Sequence, residues 1–327
     1  LEAWQAGGNP RHREVAEDIL DYVLGELKDG AGGFHAAEDA DSDPEEGAEK
    51  KREGAFWTWP AKEIQECLEP KESAVFCAAY GVEENGNSRP GSDPHGKLTG
   101  QNTLYRALDD QALGEKFSLT PEEVAATLEG ARMKLMDRRK RRPKPHRDDK
   151  IIVAWNGLMI EAVARAARVL GRPELASVAA QAASFLRETL WDGKTLFRSS
   201  RGSRSPVEGF PSDYALLIAA LIELHGLEED SPWLAWAEEL QAVLDETHWD
   251  DELAGYVMRS SLGGETLLTI REEHDGAEPS AQHTQAANLL KLEALTQKEG
   301  YGKRAERILM AGKKRSEADP FGGPVLL

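Results

Sequence analysis

Cysteine is scarce in this sequence, since its 327 residues include only Cys67 and Cys77. The two are not arranged as CxxC, so free structural thiols are a better interpretation than a redox pair or metal ligands. No asparagine stands in an N-x-S/T sequon, and the opening LEAWQAGGNP lacks the charged and then apolar pattern of a signal peptide. No apolar run approaches the length that crosses a bilayer. A cytoplasmic protein is therefore the expectation.

Positive charge is also in short supply. The chain has 40 lysines and arginines against 58 aspartates and glutamates, a net charge of −18. A duplex nucleic-acid binder needs a broad positive face, so this class is disfavoured, as is binding to anionic membranes. The hydrophobic fraction of 40% is sufficient for a sizeable core.

A repeat of helical pairs fills the second half of the chain. Apolar helices are predicted at 154–170 and 213–225, and each is followed by an amphipathic helix, at 174–190 and up to Thr247. The tails WDGKTLFRSS and WDDELAGYVMRSS follow these pairs, with Asp192 and Asp250 lying 250 − 192 = 58 residues apart. A helix over 11–27 followed by LKDGAGGF resembles an earlier copy, and a last pair spans about 279–311.

Such a period indicates stacked αα-hairpins and an all-α fold. The apolar helices face inward and the amphipathic ones outward, so a closed ring would bury both sides of each inner helix. This pattern predicts an α/α toroid with short β-hairpin tails, and an open solenoid is the alternative. A loop-rich insert is predicted at 44–117, and Thr120, Pro121 and Glu123 form a capping-box signature for a helix that ends near Lys140.

Polar residues gather where the predicted inner helices begin. Asn156 lies opposite the polar stripe of its helix, where a buried amide needs partners. Asp213 is in register with it, since 213 − 156 = 57, and Tyr214 follows. The remaining polar residues at these starts are His146, Asp148 and Asp149 before the first helix, and His274, Asp275, Glu278, Gln282 and His283 at the third. Each alone is more typical of a helix cap, but their convergence at one rim predicts a shared pocket.

Three further motifs have two interpretations each. The acidic run Glu38–Asp43 lacks the glycine and the closing glutamate of a calcium loop, so it is either a solvated turn or a carboxylate pair that faces the ring mouth. Trp57 and Trp59 suit either a carbohydrate cleft or a core plug. The segment 138–147 carries seven lysines and arginines in ten positions. It is better explained as a loop between helices that is held in place by charge pairs than as a nuclear or RNA-binding signal.

Six segments resemble a known family. They are GGFHAAEDADS, EGAFWTWPAKEI, DPHGKLTGQNTL, RPKPHRDDKIIVAWNGLMI, SDYALLIAALIEL and GAEPSAQHTQAANLLKL. They are similar to segments of the spermatogenesis-associated protein 20 family, whose members combine a thioredoxin-like domain with a toroid of the six-hairpin glycosidase type. The resemblance implies that 1–315 is such a toroid, incomplete here, and that 316–327 is a disordered tail. It implies a thioredoxin-like domain in full-length relatives, but this chain has neither that domain nor a CxxC.

The resemblance also implies acid/base chemistry on a sugar, either hydrolysis or epimerisation. The expected catalytic residues are Asp39, Asp41, Asp149, Asp213 and Glu278. The expected substrate-binding residues are Glu38, Trp57, Trp59, His146, Asp148, Trp155, Asn156, Tyr214, Asp275, Gln282 and His283. No metal or cofactor is expected. The family usually has Leu-Glu where this chain has Pro211-Ser212, so a non-catalytic binding or scaffold module is the alternative.

Overall fold

The computed structural model describes residues 1–89, 91, 93, 96–228, 230–258 and 269–318, with side chains to residue 313. Within this range the chain divides into two compact units. The first comprises residues 1–37 together with those after 148, and the second comprises residues 38–148. The predicted tail at 316–327 lies largely outside the described residues.

Helices dominate both units. They are α1 Glu2–Gly7, α2 Pro10–Tyr22, α3 Ala61–Cys67, α4 Pro70–Ala79, α5 Asp110–Phe117, α6 Pro121–Arg139, α7 Val153–Leu170, α8 Glu174–Leu190, α9 Pro211–His225, α10 Trp233–His248, α11 Ala281–Thr296 and α12 Tyr301–Ala318. A π-helical turn, Val23–Leu27, continues α2. The all-α class predicted from the sequence is confirmed.

The strands are short. They are β1 Ala37–Glu38, β2 Asp41–Ser42, β3 Arg52–Glu53, β4 Arg147–Asp148, β5 Ile151–Ile152, β6 Ser199–Arg201, β7 Ser203–Arg204, β8 Trp249–Asp250 and β9 Gly255–Tyr256. Antiparallel pairing joins β2 to β3, β5 to β6, β6 to β7 and β8 to β9.

In the first unit, three helical hairpins pack side by side. They are α7–α8, α9–α10 and α11–α12, and α9 packs against both α7 and α11. Helix α9 is buried along most of its length, whereas α8 and α10 bury only one face. The α7–α9 approach is close enough that a Cβ at Gly157 would lie 2.6 Å from the backbone carbon of Leu216. The predicted alternation of buried and amphipathic helices is therefore present.

The loops that follow α2, α8 and α10 share one turn geometry. In each, an aspartate side chain accepts a hydrogen bond from the backbone N–H two positions on, a local turn that aspartate favours. The aspartates are Asp29, Asp192 and Asp250, bonded to the N–H groups of Ala31, Lys194 and Glu252. This shared geometry supports the interpretation of the segment after α2 as an early copy of the repeat.

The second unit has its own core. It packs α3, α4, α5 and α6 around Trp59, Ile64, Val75, Phe76 and Leu113. The capping box at α6 is present, because Thr120 and Glu123 each accept a hydrogen bond from the other's backbone N–H, at 3.2 and 2.8 Å.

Candidate functional site

A buried carboxylate connects the starts of two inner helices. Asp213, in the first turn of α9, has no exposed surface. Its Oδ1 accepts from the backbone N–H of Ala154, in α7, at 3.0 Å, and its Oδ2 accepts from that of Phe210 at 2.9 Å. Arg198 Nη1 donates to the same Oδ2 at 3.1 Å. The carboxylate therefore caps both helices and holds one guanidinium.

The environment of Asp213 moves its titration toward neutral pH. Burial raises the pKa of Asp213 to about 6, because the charged form loses its hydration. Arg198 and the two backbone N–H groups act in the opposite direction, and the charge of Glu278 adds a smaller increase.

Two buried amides hold aromatic residues of the repeat tails. Asn156, near the start of α7, accepts from the N–H of Phe34 at 2.7 Å and donates to its carbonyl at 2.9 Å. Gln282, at the start of α11, accepts from the N–H of Tyr256 at 2.9 Å and donates to its carbonyl at 2.5 Å. These amides are placed against backbone groups inside the unit, which satisfies the buried polar atoms.

Helix α9 uses a phenol at the corresponding place. The Tyr214 hydroxyl accepts from the backbone N–H of Leu196 at 3.3 Å. Burial raises the pKa of Tyr214 to about 12. The phenol is therefore protonated at neutral pH and acts as a structural hydrogen-bonding group.

An open cavity of about 390 Å³ lies beside the starts of α9 and α11. Its lining includes Arg198, Phe210, Ser212, Tyr256, Glu272, His274 and Glu278. The Arg198 guanidinium carbon lies 4.6 Å from the centroid of the Phe210 ring, a cation–π geometry that fixes the charge at the cavity wall. We refer to this space as the first-unit cavity.

Glu278 contacts a tryptophan on the surface of the unit. The Trp155 indole N–H donates to Glu278 Oε1, and 40% of Trp155 is exposed. This contact brings together two predicted site residues that are more than a hundred positions apart. It places an exposed aromatic ring next to a carboxylate of the first-unit cavity.

A buried acid and an imidazole lie at the start of α11. His283 Nδ1 is 2.9 Å from Asp275 Oδ1, and both side chains are almost fully buried. Asp275 Oδ1 also accepts from the backbone N–H of Ser280, the N-cap residue, at 2.7 Å. The pair is positioned to fix the segment that carries His274 and Glu278 to the helix.

Comparison with known proteins places the chain in a family. No protein-family model matches it. Spermatogenesis-associated protein 20 of Homo sapiens is 36% identical over 100% of this chain and 44% of the human protein, and that of Rattus norvegicus is 36% identical over the same shares. The chain belongs to the spermatogenesis-associated protein 20 family. An uncharacterized protein of Caenorhabditis elegans is 31% identical over 95% of this chain and 44% of its own length. The chain thus spans less than half the length of these curated relatives.

Solved structures give more distant matches. The match to D-mannose isomerase covers 52% of this chain and 42% of the isomerase chain, with 16% identity and a TM-score of 0.43. The match to cellobiose 2-epimerase from Bacillus thermoamylovorans covers 93% of this chain and 73% of the epimerase, with 12% identity and a TM-score of 0.40. The match to an α-1,6-mannanase from Salegentibacter sp. covers 91% of this chain and 69% of the mannanase, with 14% identity and a TM-score of 0.41. At these identities and TM-scores the matches carry no argument about this chain.

The other predicted residue of the first unit lies on its surface. Asp149 is 56% exposed in its side chain and pairs with Arg201, whose Nε lies 2.5 Å from Asp149 Oδ1. An exposed pair of this kind contributes little to stability.

The remaining predicted residues belong to the second unit and are described within it. Asp39 and His146 are exposed, and the backbone N–H of Asp39 donates to the carbonyl of His146 at 2.7 Å. Asp41 lies 3.9 Å from Lys97, and Glu38 and Asp148 are half-buried.

Trp57 and Trp59 have different environments in the second unit. Trp59 is 2% exposed and belongs to the core, which agrees with the core-plug interpretation, whereas Trp57 is 38% exposed. Arg139 stacks over the Trp57 ring at 4.9 Å and Arg142 over the Trp59 ring at 3.9 Å. The basic segment 138–147 therefore packs against the tryptophans, which agrees with its interpretation as a loop held within the unit.

Several cavity residues were not expected from the sequence. The sequence pattern does not identify Arg198, Phe210 or Glu272 as cavity residues, and Ser212 stands out only as a departure from the family. Arg198 follows directly on the WDGKTLF tail, so its position in a repeat tail before EGFPSDY was the available signal. Within the described residues, no three histidine, cysteine, aspartate or glutamate side chains are grouped as metal ligands would be. No helix of the described chain is both long and apolar enough to span a membrane.

Proposed function

We propose that the first-unit cavity binds a carbohydrate and that Glu278 is the acid/base group at the bound sugar. The contact between the exposed Trp155 and Glu278 carries this proposal. Sugars present apolar ring faces that pack on aromatic side chains, and hydroxyls that pair with charged groups. Trp155 supplies the flat surface, and Glu278 and Arg198 supply the polar partners. The family resemblance, which implies a glycosidase-like fold, points the same way, although fold alone does not assign function.

Acid/base chemistry requires two groups that exchange protons. Hydrolysis uses a pair of carboxyl groups, and epimerisation uses two bases on either side of a carbon. Glu272 and His274 line the cavity together with Glu278 and are the candidates for the second group. Asp213 is fully buried and saturated by two N–H groups and Arg198. We therefore assign it the role of positioning Arg198 at the cavity wall, and not of contacting the sugar.

A binding module without turnover is the second candidate, and Ser212 favours it. Ser212 lines the first-unit cavity. At this position the family usually has a glutamate, so a serine would leave the pocket without one carboxyl group. The other residues that line the first-unit cavity would still bind a sugar.

A thermal-shift and calorimetric screen of the chain against mono- and oligosaccharides tests the proposal. Ligand binding raises the melting temperature according to RT ln(1 + [L]/Kd), so millimolar binders are detected at tens of millimolar ligand. We expect a saccharide hit that is lost in Glu278→Gln and Trp155→Ala. The matched controls are Glu252→Gln, an exposed acid in a repeat tail, and Trp57→Ala, which removes a tryptophan of similar exposure in the second unit.

The outcomes separate the two candidates. Turnover of the hit by the wild-type chain supports the enzyme. Binding without turnover, with turnover gained in Ser212→Glu, supports the binding module. Absence of any hit in a chain that melts cooperatively, or equal loss in the control variants, would exclude a sugar site in this cavity.

A further inference from the structure

The second unit contains a cavity lined by several arginines. Its volume is about 870 Å³, within the range of small-molecule sites. The arginines are Arg52, Arg138, Arg141 and Arg142. Such a concentration of positive charge is unusual in a chain whose net charge is −18.

One carboxylate serves two of these arginines. Glu63 lies 2.9 Å from Arg138 and 2.8 Å from Arg142. Arg142 is fixed further, because it donates to the carbonyls of Phe56 and Thr58, both at 2.8 Å, and stacks on Trp59. Because Glu63 is shared by two guanidiniums, positive charge exceeds negative charge in this ion-pair group, and Arg142 is held rigidly at the cavity wall.

Arg52 has only neutral and long contacts. Its guanidinium lies 3.3 Å from the carbonyl of Lys97, 3.5 Å from the Thr58 hydroxyl and 3.4 Å from the Gln101 amide oxygen. Hydrogen bonds from arginine to an anion are about 2.7–2.9 Å. Burial lowers the pKa of Arg52, and no carboxylate among the described residues forms an ion pair with it. This geometry is typical of a guanidinium that is positioned for an anion.

Arg141 adds another guanidinium at the cavity wall. Its side chain is exposed, and it makes no side-chain hydrogen bond or ion pair with any part of the chain that the structure describes. Glu45 and Glu46 also line the cavity, but they are exposed, and neither pairs with these arginines within the described ranges. They reduce the positive potential at the surface without occupying the donors of Arg52.

We propose that this cavity is a binding site for a small molecule with a phosphate or carboxylate group, which Arg52 and Arg141 recognise. The planar guanidinium offers paired N–H donors that match the oxygens of either group. Arg138 and Arg142 supply a fixed background charge, and Thr58 and Gln101 offer neutral groups for the rest of the ligand. The site is independent of the carbohydrate proposal, since it uses only residues of the second unit.

Isothermal titration of the full chain tests the site, with inorganic phosphate, glucose 6-phosphate, glucuronate and glucose as probes. We expect saturable binding of at least one anionic probe and none of glucose at this site. Preference for the two phosphates over glucuronate identifies a phosphate ligand, and the reverse preference identifies a carboxylate. Arg52→Gln and Arg141→Gln should each weaken the binding of the preferred anion at least tenfold.

Arg132→Gln is the matched control, because Arg132 lies on α6 of the same unit, pairs with Glu129 at 3.0 Å and does not line the cavity. It should bind the anion as the wild type does. Arg141→Gln removes an exposed side chain without a partner in the described chain, so its melting temperature should match the wild type and its effect reports binding alone. The proposal is overturned if no anion binds saturably, or if the control loses affinity to the same extent.

Discussion

The side-chain amide of Asn156 forms hydrogen bonds with both the backbone N–H and the backbone carbonyl of Phe34, which lies 122 positions away in the chain. Gln282 holds Tyr256 in the same way. Each amide lies in the first turns of an inner helix, and each bound aromatic residue lies in a repeat tail. Side-chain amides thus connect these tails to the inner helices by hydrogen bonds.

Asn156→Ala should destabilise the first unit strongly. The substitution leaves the N–H and carbonyl of Phe34 unsatisfied in a buried setting, at about 1–3 kcal/mol for each group. We expect a loss of about 3 kcal/mol in the free energy of unfolding, measured by urea denaturation. Asn9→Ala is the control, because Asn9 is an exposed N-cap whose removal costs only about 1 kcal/mol. Equal losses in the two variants would contradict the role of Asn156.

Gln282→Glu should make stability depend on pH. At neutral pH the carboxylate still accepts from the N–H of Tyr256, but it can no longer donate to the Tyr256 carbonyl, and it is buried as a charge. Burial raises the pKa of such a carboxyl group in the folded state. The destabilisation should therefore be largest at pH 7 and shrink as the pH falls toward 4, where the protonated acid can donate. Denaturation at both pH values measures this, and a destabilisation that grows on acidification would refute it.

The hairpin repeat could be predicted from the sequence because its signals are local. The apolar periodicity of α7 and α9 and the matched tails at Asp192 and Asp250 each lie within a short window. Helices α4 and α5 lie in the segment that the sequence predicts to be a loop-rich insert, although Pro70 and Asp109 carry ordinary helix-start signals.

The site was less predictable for a physical reason. The sequence indicates that a buried amide at Asn156 needs a partner, but it does not indicate that the partner is the backbone of Phe34. The positions of Arg198 and Ser212 at the cavity likewise depend on how a tail returns to the next helix. Residue type and register identify Asp213 and Glu278 as polar residues at helix starts, whereas burial separates them into a capping group and a half-buried acid.

The contribution of Asp213 to the free energy of unfolding should decrease as the pH rises. Its pKa is raised to about 6 in the folded protein from an ordinary value of 3.8, so between these values the folded state binds a proton that the unfolded state has lost. Its contribution is therefore fully present below pH 3.8 and is lost as the pH rises through 6. Asp213→Asn cannot titrate, so the difference in unfolding free energy between wild type and variant should fall over pH 4–7. A difference that is constant across this range would show that the folded pKa is ordinary.

Gly157→Ala should disrupt the packing of α7 on α9. A Cβ at this position would lie 2.6 Å from the carbon and 2.7 Å from the oxygen of the Leu216 carbonyl group, and neither helix can move without disturbing its hairpin. Overpacking of this kind costs about 1–3 kcal/mol, which outweighs the gain of about 1 kcal/mol that alanine brings to a helix interior. Gly130→Ala is the matched control, since Gly130 is also helical and a Cβ there meets only the Glu72 side chain, at 3.5 Å. We expect the control to raise the melting temperature and Gly157→Ala to lower it, so stabilisation by both would show that α7 and α9 are not in close contact.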